Sequence, residues 1–106
     1  MANYVPVPYA ATMTVPVNEG QHYFVLGPLT GAATVSFSFS PESARANVVT
    51  LAIVQDGTGS HAVTWAANVY GGANTSSDAA STTRVQQFFY EEQSNAWYAV
   101  GAGAIS

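Results

Sequence analysis

Apolar and polar residues alternate along several short stretches of the chain with a period of two. The clearest stretch runs from Thr34 to Ser40, where Val35, Phe37 and Phe39 alternate with small hydroxyl residues. Because successive side chains of a β-strand point to opposite faces, this pattern predicts a strand with one buried face. No stretch repeats its apolar residues at helical spacing. The pattern therefore predicts an all-β protein with very little helix.

Residues that favour turns separate the other predicted strands. Residues 11–17 alternate in the same way, residues 21–26 end at a Gly-Pro pair, and residues 84–91 and 97–100 follow a long loop. Residues 48–55 are almost continuously apolar, which is typical of a strand that is buried on both faces. About seven or eight short strands with turn signals between them predict a single all-β domain, a jelly-roll-like or Greek-key β-sandwich.

The apolar positions of these strands predict the core. Within residues 84–91 neighbouring side chains point to opposite faces, and we place Phe89 on the buried face. Trp97 and Tyr98 are separated in the same way, so one packs in the core and the other lies on a surface or interface. The predicted core residues are Val35, Phe37, Phe39, Leu51, Ile53, Val63, Trp65, Phe89 and Trp97.

A glycine-rich segment, Asp56-Gly57-Thr58-Gly59, follows the most apolar strand. Glycine and aspartate tolerate the positive φ angles of tight turns, so this segment predicts a hairpin into a strand at residues 61–65. Asp56, Gly57 and Gly59 mark that hairpin. The two glycines lie between strands and not before a helix N-terminus, which argues against a phosphate-binding loop.

Prolines alternate with β-branched residues near the N-terminus, between two tyrosines. This pattern favours an extended polyproline II or edge-strand conformation. We therefore divide the chain into an extended Pro-rich N-terminal arm, residues 1–10, and a β-sandwich domain, residues 11–106. The arm either docks on a neighbouring subunit or forms an edge strand. The candidate interface residues are Tyr4, Val5, Pro6, Val7, Pro8, Tyr9, Tyr70 and Tyr98.

Charge is scarce in this chain of 106 residues. Only 8% of the residues are charged, against about 25% in an average soluble domain. Lysine is absent and the net charge is −4, so the chain lacks the basic surface that binds nucleic acid or anionic membranes. Such a surface suits either an isolated domain with a neutral polar coat or a chain that is covered in an assembly. We favour the assembly, because the centres of interfaces are depleted of charge.

Other compositional features narrow the function further. The chain has no cysteine, which leaves no disulfide and no thiolate metal site. Its first residues lack a basic segment followed by a long apolar one, and no apolar run approaches the roughly 20 residues of a membrane-spanning helix. We therefore expect neither a secretory signal nor membrane insertion.

Groups that could support catalysis or bind a metal are few. His22, His61, Asp56 and Asp78 are available for a nucleophilic triad, but the chain has no Gly-x-Ser-x-Gly turn. The same residues and the pair Glu91-Glu92 lack the spacing of a metal site. We therefore predict a protein that is not an enzyme and uses no cofactor or metal.

Several segments in order resemble a module of phage and prophage structural proteins, found in tail-fibre, tail-spike and head-associated chains. The matching segments are residues 50–59, 62–65 (Ala-Val-Thr-Trp), 67–69 (Ala-Asn-Val), 71–72 (Gly-Gly), 88–90 (Phe-Phe-Tyr) and 97–101 (Trp-Tyr-Ala-Val-Gly). The resemblance extends over about residues 34–101. It implies a virion component that is usually oligomeric, often a trimer, and that has no catalytic residues.

Chain length decides which virion component we expect. Fibres and spikes need long shafts or second domains, whereas this chain is the module and a short arm. We expect a capsid cement or decoration protein that stabilises the outer shell, with the major capsid protein or other virion proteins as partners. It would assemble in the host cytoplasm. The alternatives are a tail, tail-fibre or fibre-tip component and a carbohydrate-binding receptor-recognition module that uses exposed aromatics and the loop at residues 66–83.

Overall fold

The computed structural model of the chain describes residues 4–17, 23–38, 48–72, 74–76, 78–91 and 93–105. The described residues form nine strands and no helix. The strands are β1 (Val5–Val7), β2 (Thr12–Pro16), β3 (Tyr23–Leu29), β4 (Ala33–Ser38), β5 (Val48–Gln55), β6 (Val63–Trp65), β7 (Val69–Tyr70), β8 (Thr83–Glu91) and β9 (Ala96–Ile105).

Two sheets contain these strands. The larger sheet has the order β1-β3-β5-β8-β9-β7, and the smaller sheet has the order β2-β4-β6. From β1 to β6 the chain changes sheet at every step, and each strand from β3 onward lies parallel to the strand two before it. β8 then pairs antiparallel with both β5 and β9. The first six strands therefore form three stacked turns of a short parallel solenoid, which the antiparallel β8 and β9 complete.

The predicted all-β sandwich is confirmed, because the hydrophobic core lies between two sheets. The connections differ from a jelly roll or Greek key, which require antiparallel neighbours. Five of the seven strand pairs among the described residues are parallel. Turn residues show where a strand ends, but they do not show which strand receives its hydrogen bonds.

Aromatic side chains from both sheets meet in the centre of the core. Trp97 of the larger sheet stacks on Phe37 of the smaller sheet, with ring centroids 4.6 Å apart. Phe88 lies 5.7 Å from Phe37 and 4.9 Å from Trp65. Tyr90 packs on Trp97 from within the larger sheet. These contacts join the sheets, because each aromatic ring buries a large area in a defined orientation.

Most of the predicted core is confirmed. The buried members are Val35, Leu51, Ile53, Val63 and Trp97. Phe37 and Trp65 are half-buried and pack against this core. Phe39 lies outside the described residues.

The prediction that Phe89 lies on the buried face of its strand is wrong. It is 41% exposed, whereas Phe88 beside it is fully buried. The inward positions of β8 are Gln86, Phe88 and Tyr90, and Phe88 pairs with the buried Val49 of β5. A buried glutamine and two adjacent phenylalanines made both phases of the alternation equally apolar, so the period alone could not choose between them.

The predicted hairpin at residues 56–59 is a crossover. β5 belongs to the larger sheet and β6 to the smaller, so these two strands do not pair. The loop between them carries the chain across the edge of the core. Asp and Gly promote a turn in either case, and the destination of the chain depends on contacts outside the turn.

The N-terminal segment forms an edge strand and not a separate arm. β1 pairs parallel with β3 at the edge of the larger sheet. Val5 is half-buried and Val7 is buried, so these two predicted interface residues face the core of their own chain. The hydroxyl of Tyr9 donates a hydrogen bond of 3.0 Å to the carbonyl of Ala32. Residues 5–9 therefore belong to the sandwich, and its boundary is earlier than residue 11.

The other residues of the N-terminal segment differ in their solvent exposure. Tyr4, Pro6 and Pro8 are exposed, whereas Tyr9 is half-buried. Proline has no N–H group to offer a neighbouring strand, so it suits an edge position.

Candidate functional site

The outer face of the larger sheet carries several exposed apolar and aromatic side chains. We call this set the apolar face; its members are Tyr4, Tyr23, Val48, Tyr70, Val85, Phe89, Tyr98 and Val100. They lie together because alternate residues of a strand point to the same side of a sheet. Their exposed fractions run from 37% to 50%.

One row of the apolar face crosses four neighbouring strands. In register, Val48 lies opposite Phe89, Phe89 opposite Tyr98, and Tyr98 opposite Tyr70. The rings of Tyr70 and Tyr98 stack with centroids 5.2 Å apart and planes 21° apart. The predicted interface residues Tyr70 and Tyr98 are thus exposed and in contact, and the structure adds Val48 and Phe89, which the sequence prediction missed.

The next row is polar in its middle and apolar at its ends. Tyr23, Thr50, Gln87 and Val100 lie in register across β3, β5, β8 and β9. The side-chain amide of Gln87 donates a hydrogen bond of 3.2 Å to the hydroxyl of Thr50. The ring of Tyr4 meets that of Tyr23 edge to face, with centroids 6.0 Å apart. The centre of the face therefore has no charge.

A carboxylate borders the face at one end. Glu91 follows Phe89 by two residues on β8 and therefore points to the same side. Its carboxylate accepts hydrogen bonds from the Ser94 hydroxyl at 2.6 Å and from the backbone N–H groups of Ser94 and Gln93. The hydroxyls of Ser94 and Tyr98 lie 3.3 Å apart. The hydrogen bond from the Ser94 hydroxyl, followed by the two backbone N–H groups, lowers the pKa of Glu91.

A second group of polar residues lies where the loop at residues 56–62 meets the loop at residues 71–82. We call it the polar junction; its members are Gln55, Asp56, His61, Thr75, Asp78 and Arg84. Gln55 continues the inward phase of β5 and is buried. Its side chain accepts a hydrogen bond from the N–H of His61 and donates to the carbonyl of His61, both at 3.0 Å.

Thr75 connects the loop at residues 71–82 to Gln55 and His61. Its hydroxyl donates to the carbonyl of His61 at 2.8 Å and accepts from the N–H of Val63 at 3.0 Å. Its own carbonyl accepts a hydrogen bond from the Gln55 amide at 3.4 Å. Buried polar groups are tolerated only when they are hydrogen-bonded, and here each loop supplies the partners of the other.

The carboxylate of Asp56 organises the glycine-rich loop. One of its oxygens accepts hydrogen bonds from the N–H groups of Thr58 at 2.9 Å and Gly59 at 3.1 Å, and it lies 3.0 Å from Nε2 of His61. Hydrogen bonds to a carboxylate favour its charged form. The backbone N–H of Gly59, then that of Thr58, therefore lowers the pKa of Asp56 below its ordinary value of 3.8.

Acid is expected to weaken this loop. Because the folded chain holds the pKa of Asp56 below its ordinary value, the charged form stabilises the fold above that value, and the contribution is lost as pH falls through the folded pKa. Wild type should therefore be more stable than Asp56→Asn at about pH 7, and the difference should disappear by about pH 2. Thermal unfolding across this range measures it. A difference that stays constant with pH would contradict the assignment.

Asp78 forms an ion pair with Arg84. Two guanidinium nitrogens reach its carboxylate, Nε at 2.9 Å and Nη2 at 2.6 Å, and its side chain is only 2% exposed. This hydrogen-bonded contact raises the pKa of Arg84. The bidentate geometry fixes the loop at residues 71–82 to the first residues of β8.

The two glycines of the loop differ in what they tolerate. Gly59 has a φ of +75°, and a Cβ there would lie 2.8 Å from the backbone carbonyl carbon of Ala79. Gly57 has no atom within 4 Å of such a Cβ and no positive φ. Gly59→Ala should therefore destabilise the fold by more than about 1 kcal/mol, whereas Gly57→Ala should be neutral or slightly stabilising. Urea unfolding of both variants checks the contrast; equal losses would contradict it.

The polar junction brings together some of the residues considered for catalysis and separates others. His61 contacts Asp56, but Asp78 pairs with Arg84, and His22 and Glu92 lie outside the described residues. Among the described residues no group of three His, Cys, Asp or Glu side chains could hold a metal ion. The described hydrogen bonds give the His61 ring no hydroxyl partner. The arrangement therefore joins two loops and lacks the geometry of a nucleophilic triad.

Sequence reasoning missed Gln55, Thr75 and Arg84 as members of the junction. One signal was present for Gln55, which has the same phase as the buried Leu51 and Ile53 on β5. Thr75 carries no local signal, because its partners lie 12 to 20 residues away in sequence. Arg84 lies six residues after Asp78, but no regular spacing of the loop between them predicts their contact. No helix in the described part of the chain is long and apolar enough to cross a membrane.

A scan against protein-family models finds no match to this chain, and searches of curated proteins and of solved structures also find none.

Proposed function

We propose that this chain is a non-enzymatic structural protein of a phage-type virion, and specifically a capsid cement or decoration protein. The observation that carries the proposal is the apolar face, a set of exposed apolar side chains on the outer side of the larger sheet with no charge at its centre. Large exposed apolar patches mark sites of interaction. The resemblance to phage structural modules supports a virion as the assembly in question.

A cement protein would stabilise the shell through thermodynamic linkage between its own binding and shell assembly. Many copies that bind the assembled shell, and not the free shell subunits, shift the equilibrium toward the closed particle. Rigidity suits this role, because a surface that is already ordered loses little entropy on binding. The ion pair of Asp78 with Arg84 and the hydrogen bonds of Gln55 hold the loops of the polar junction in place.

The test combines purified shells with the full chain. We expect the chain to bind assembled shells and to raise the temperature at which they open. Phe89→Glu with Tyr98→Glu should abolish binding, because both side chains lie in the middle of the apolar face. The matched control, Thr12→Glu with Thr34→Glu, places two charges on exposed positions of the smaller sheet and should retain it.

Three outcomes of that test would correct the proposal. Absence of the chain from purified particles would overturn the virion assignment. Presence on the tail alone would overturn the cement role and favour the tail or fibre alternative. Undiminished binding by the variant of the apolar face would show that assembly on the shell does not depend on that face.

A second candidate function, glycan recognition, has one specific observation in its favour. The stacked rings of Tyr70 and Tyr98 lie beside the Ser94 hydroxyl and the Glu91 carboxylate. Flat aromatic rings with adjacent hydrogen-bonding groups suit a sugar ring. Binding on a glycan array that is lost in Tyr70→Ala and Tyr98→Ala would support this candidate over the first.

A further inference from the structure

We propose that the apolar face binds a second copy of this chain, so that two larger sheets pack face to face. This inference rests on the proposed function, in which the face is covered in an assembly, and it specifies what covers the face. Three features favour a second copy as the partner: the area of the patch, its lack of charge and the structure of the sheet edges.

The area is close to what a stable pair needs. Five aromatic side chains of the face are between 39% and 50% exposed, and at about 150–250 Å² per aromatic side chain they present roughly 400 Å². With the three valines, the patch reaches the upper end of the about 300–600 Å² that monomers expose. The neighbouring Thr50, Gln87 and Pro6 bring it toward the roughly 800 Å² per partner of a standard interface.

The charge distribution favours a copy over a charged partner. The chain has a net charge of −4, so two copies repel each other wherever their carboxylates meet. Among the described residues on the outer side of the larger sheet, Glu91 alone is charged, and it lies at the border. Interfaces between identical subunits are the more apolar class, which fits a face that offers no charge to a partner.

The edges of both sheets are unsuited to pairing with a strand of another chain. Each sheet has one edge strand that contains a proline, Pro6 in β1 and Pro16 in β2. The opposite edges are short, with three residues in β6 and two in β7. Proline and short edge strands both protect a sheet against pairing with another chain. Association through the apolar face does not depend on these edges.

Face-to-face packing has a defined geometry. Twisted sheets pack with their strands about 30° apart and about 10 Å between the sheets. The two sheets of this chain already pack on each other over an aromatic core. A two-fold axis over the middle of the row formed by Val48, Phe89, Tyr98 and Tyr70 would place the Phe89 and Tyr98 side chains of both copies at the centre.

The experiment is a measurement of mass by light scattering after size exclusion, on the full chain over a range of concentrations. We expect about twice the 11.0 kDa of one chain. Phe89→Glu with Tyr98→Glu should weaken association by roughly a hundredfold or more, because charges would be buried at the centre. Thr12→Glu with Thr34→Glu should leave it unchanged. Thermal unfolding confirms that all variants are folded.

A wild-type chain that stays monomeric at every concentration would overturn the inference, as would an oligomer that persists in the variant of the apolar face. These failures differ from a failure of the proposed function. A dimer that is absent from particles would overturn the virion assignment alone, whereas a monomer found in particles would overturn only self-association.

Discussion

Phe88→Ala is expected to lower the free energy of unfolding by about 3–5 kcal/mol, which is a large part of the roughly 5–15 kcal/mol that holds a small domain folded. Phe88 is fully buried and contacts Phe37 and Trp65 of the opposite sheet. Its truncation leaves a cavity between the sheets that the aromatic neighbours cannot fill. Urea unfolding at neutral pH measures the loss.

The adjacent phenylalanine provides the control for this prediction. Phe89 has the same chemistry and the same strand, but it is 41% exposed on the apolar face. Phe89→Ala should change the stability of the monomer by less than about 1 kcal/mol. If the isolated chain does not fold with Phe88→Ala, Phe88→Leu should still cost more than Phe89→Leu. The reverse order would contradict the assignment of faces on β8.

Asp78→Ala is expected to cost about 3 kcal/mol, the second largest effect. The substitution leaves the guanidinium of Arg84, which is 18% exposed, without its bidentate partner. Removing one member of a buried ion pair is more harmful than removing both, because the remaining charge has lost its solvent and its partner. Urea unfolding of the variant gives the value.

A double-mutant cycle separates the contribution of this ion pair to the free energy of unfolding from the contribution of packing. Arg84→Ala and the double variant complete the cycle, and the double variant should be less destabilised than the sum of the two single variants. We also expect Asp78→Ala to loosen the loop at residues 71–82, with faster amide hydrogen exchange there. Additive losses in the cycle would show that the ion pair itself contributes nothing.

The sequence predicted the strands better than their pairing. Period-two alternation identifies a strand such as Thr34 to Ser38 from its own residues, because the side chains of a strand point alternately to the two faces. Pairing depends on which distant strand supplies hydrogen bonds. The parallel contact of β3 with β5 therefore has no local signal, and the turn at Asp56 looks the same for a hairpin as for a crossover.

In the candidate site, too, single residues could be predicted from the sequence, but their contacts could not. The sequence predicts that Tyr98 lies on a surface or interface because its phase is opposite to that of Trp97, and that Tyr70 does so because it lies in the long loop at residues 66–83. Their contact with each other depends on β7 pairing with β9, which no local pattern reveals. Val5 and Val7 were assigned to an interface because a Pro-rich terminus suggests an arm, whereas parallel pairing with β3 turns both inward.

The stability of the chain and its proposed association depend on different faces of one sheet. Phe88 and Trp97 on the inner side hold the two sheets together, and Phe89 and Tyr98 on the outer side have no comparable role within the chain. Substitutions on the outer side should therefore change assembly far more than folding.

The most direct test of this account is a cryo-electron microscopy map of assembled particles of the proposed virion. We predict density for the chain on the shell, with the row of Val48, Phe89, Tyr98 and Tyr70 covered by a second copy. A map in which that row faces open solvent, or in which the particles contain no density for the chain, would contradict the account.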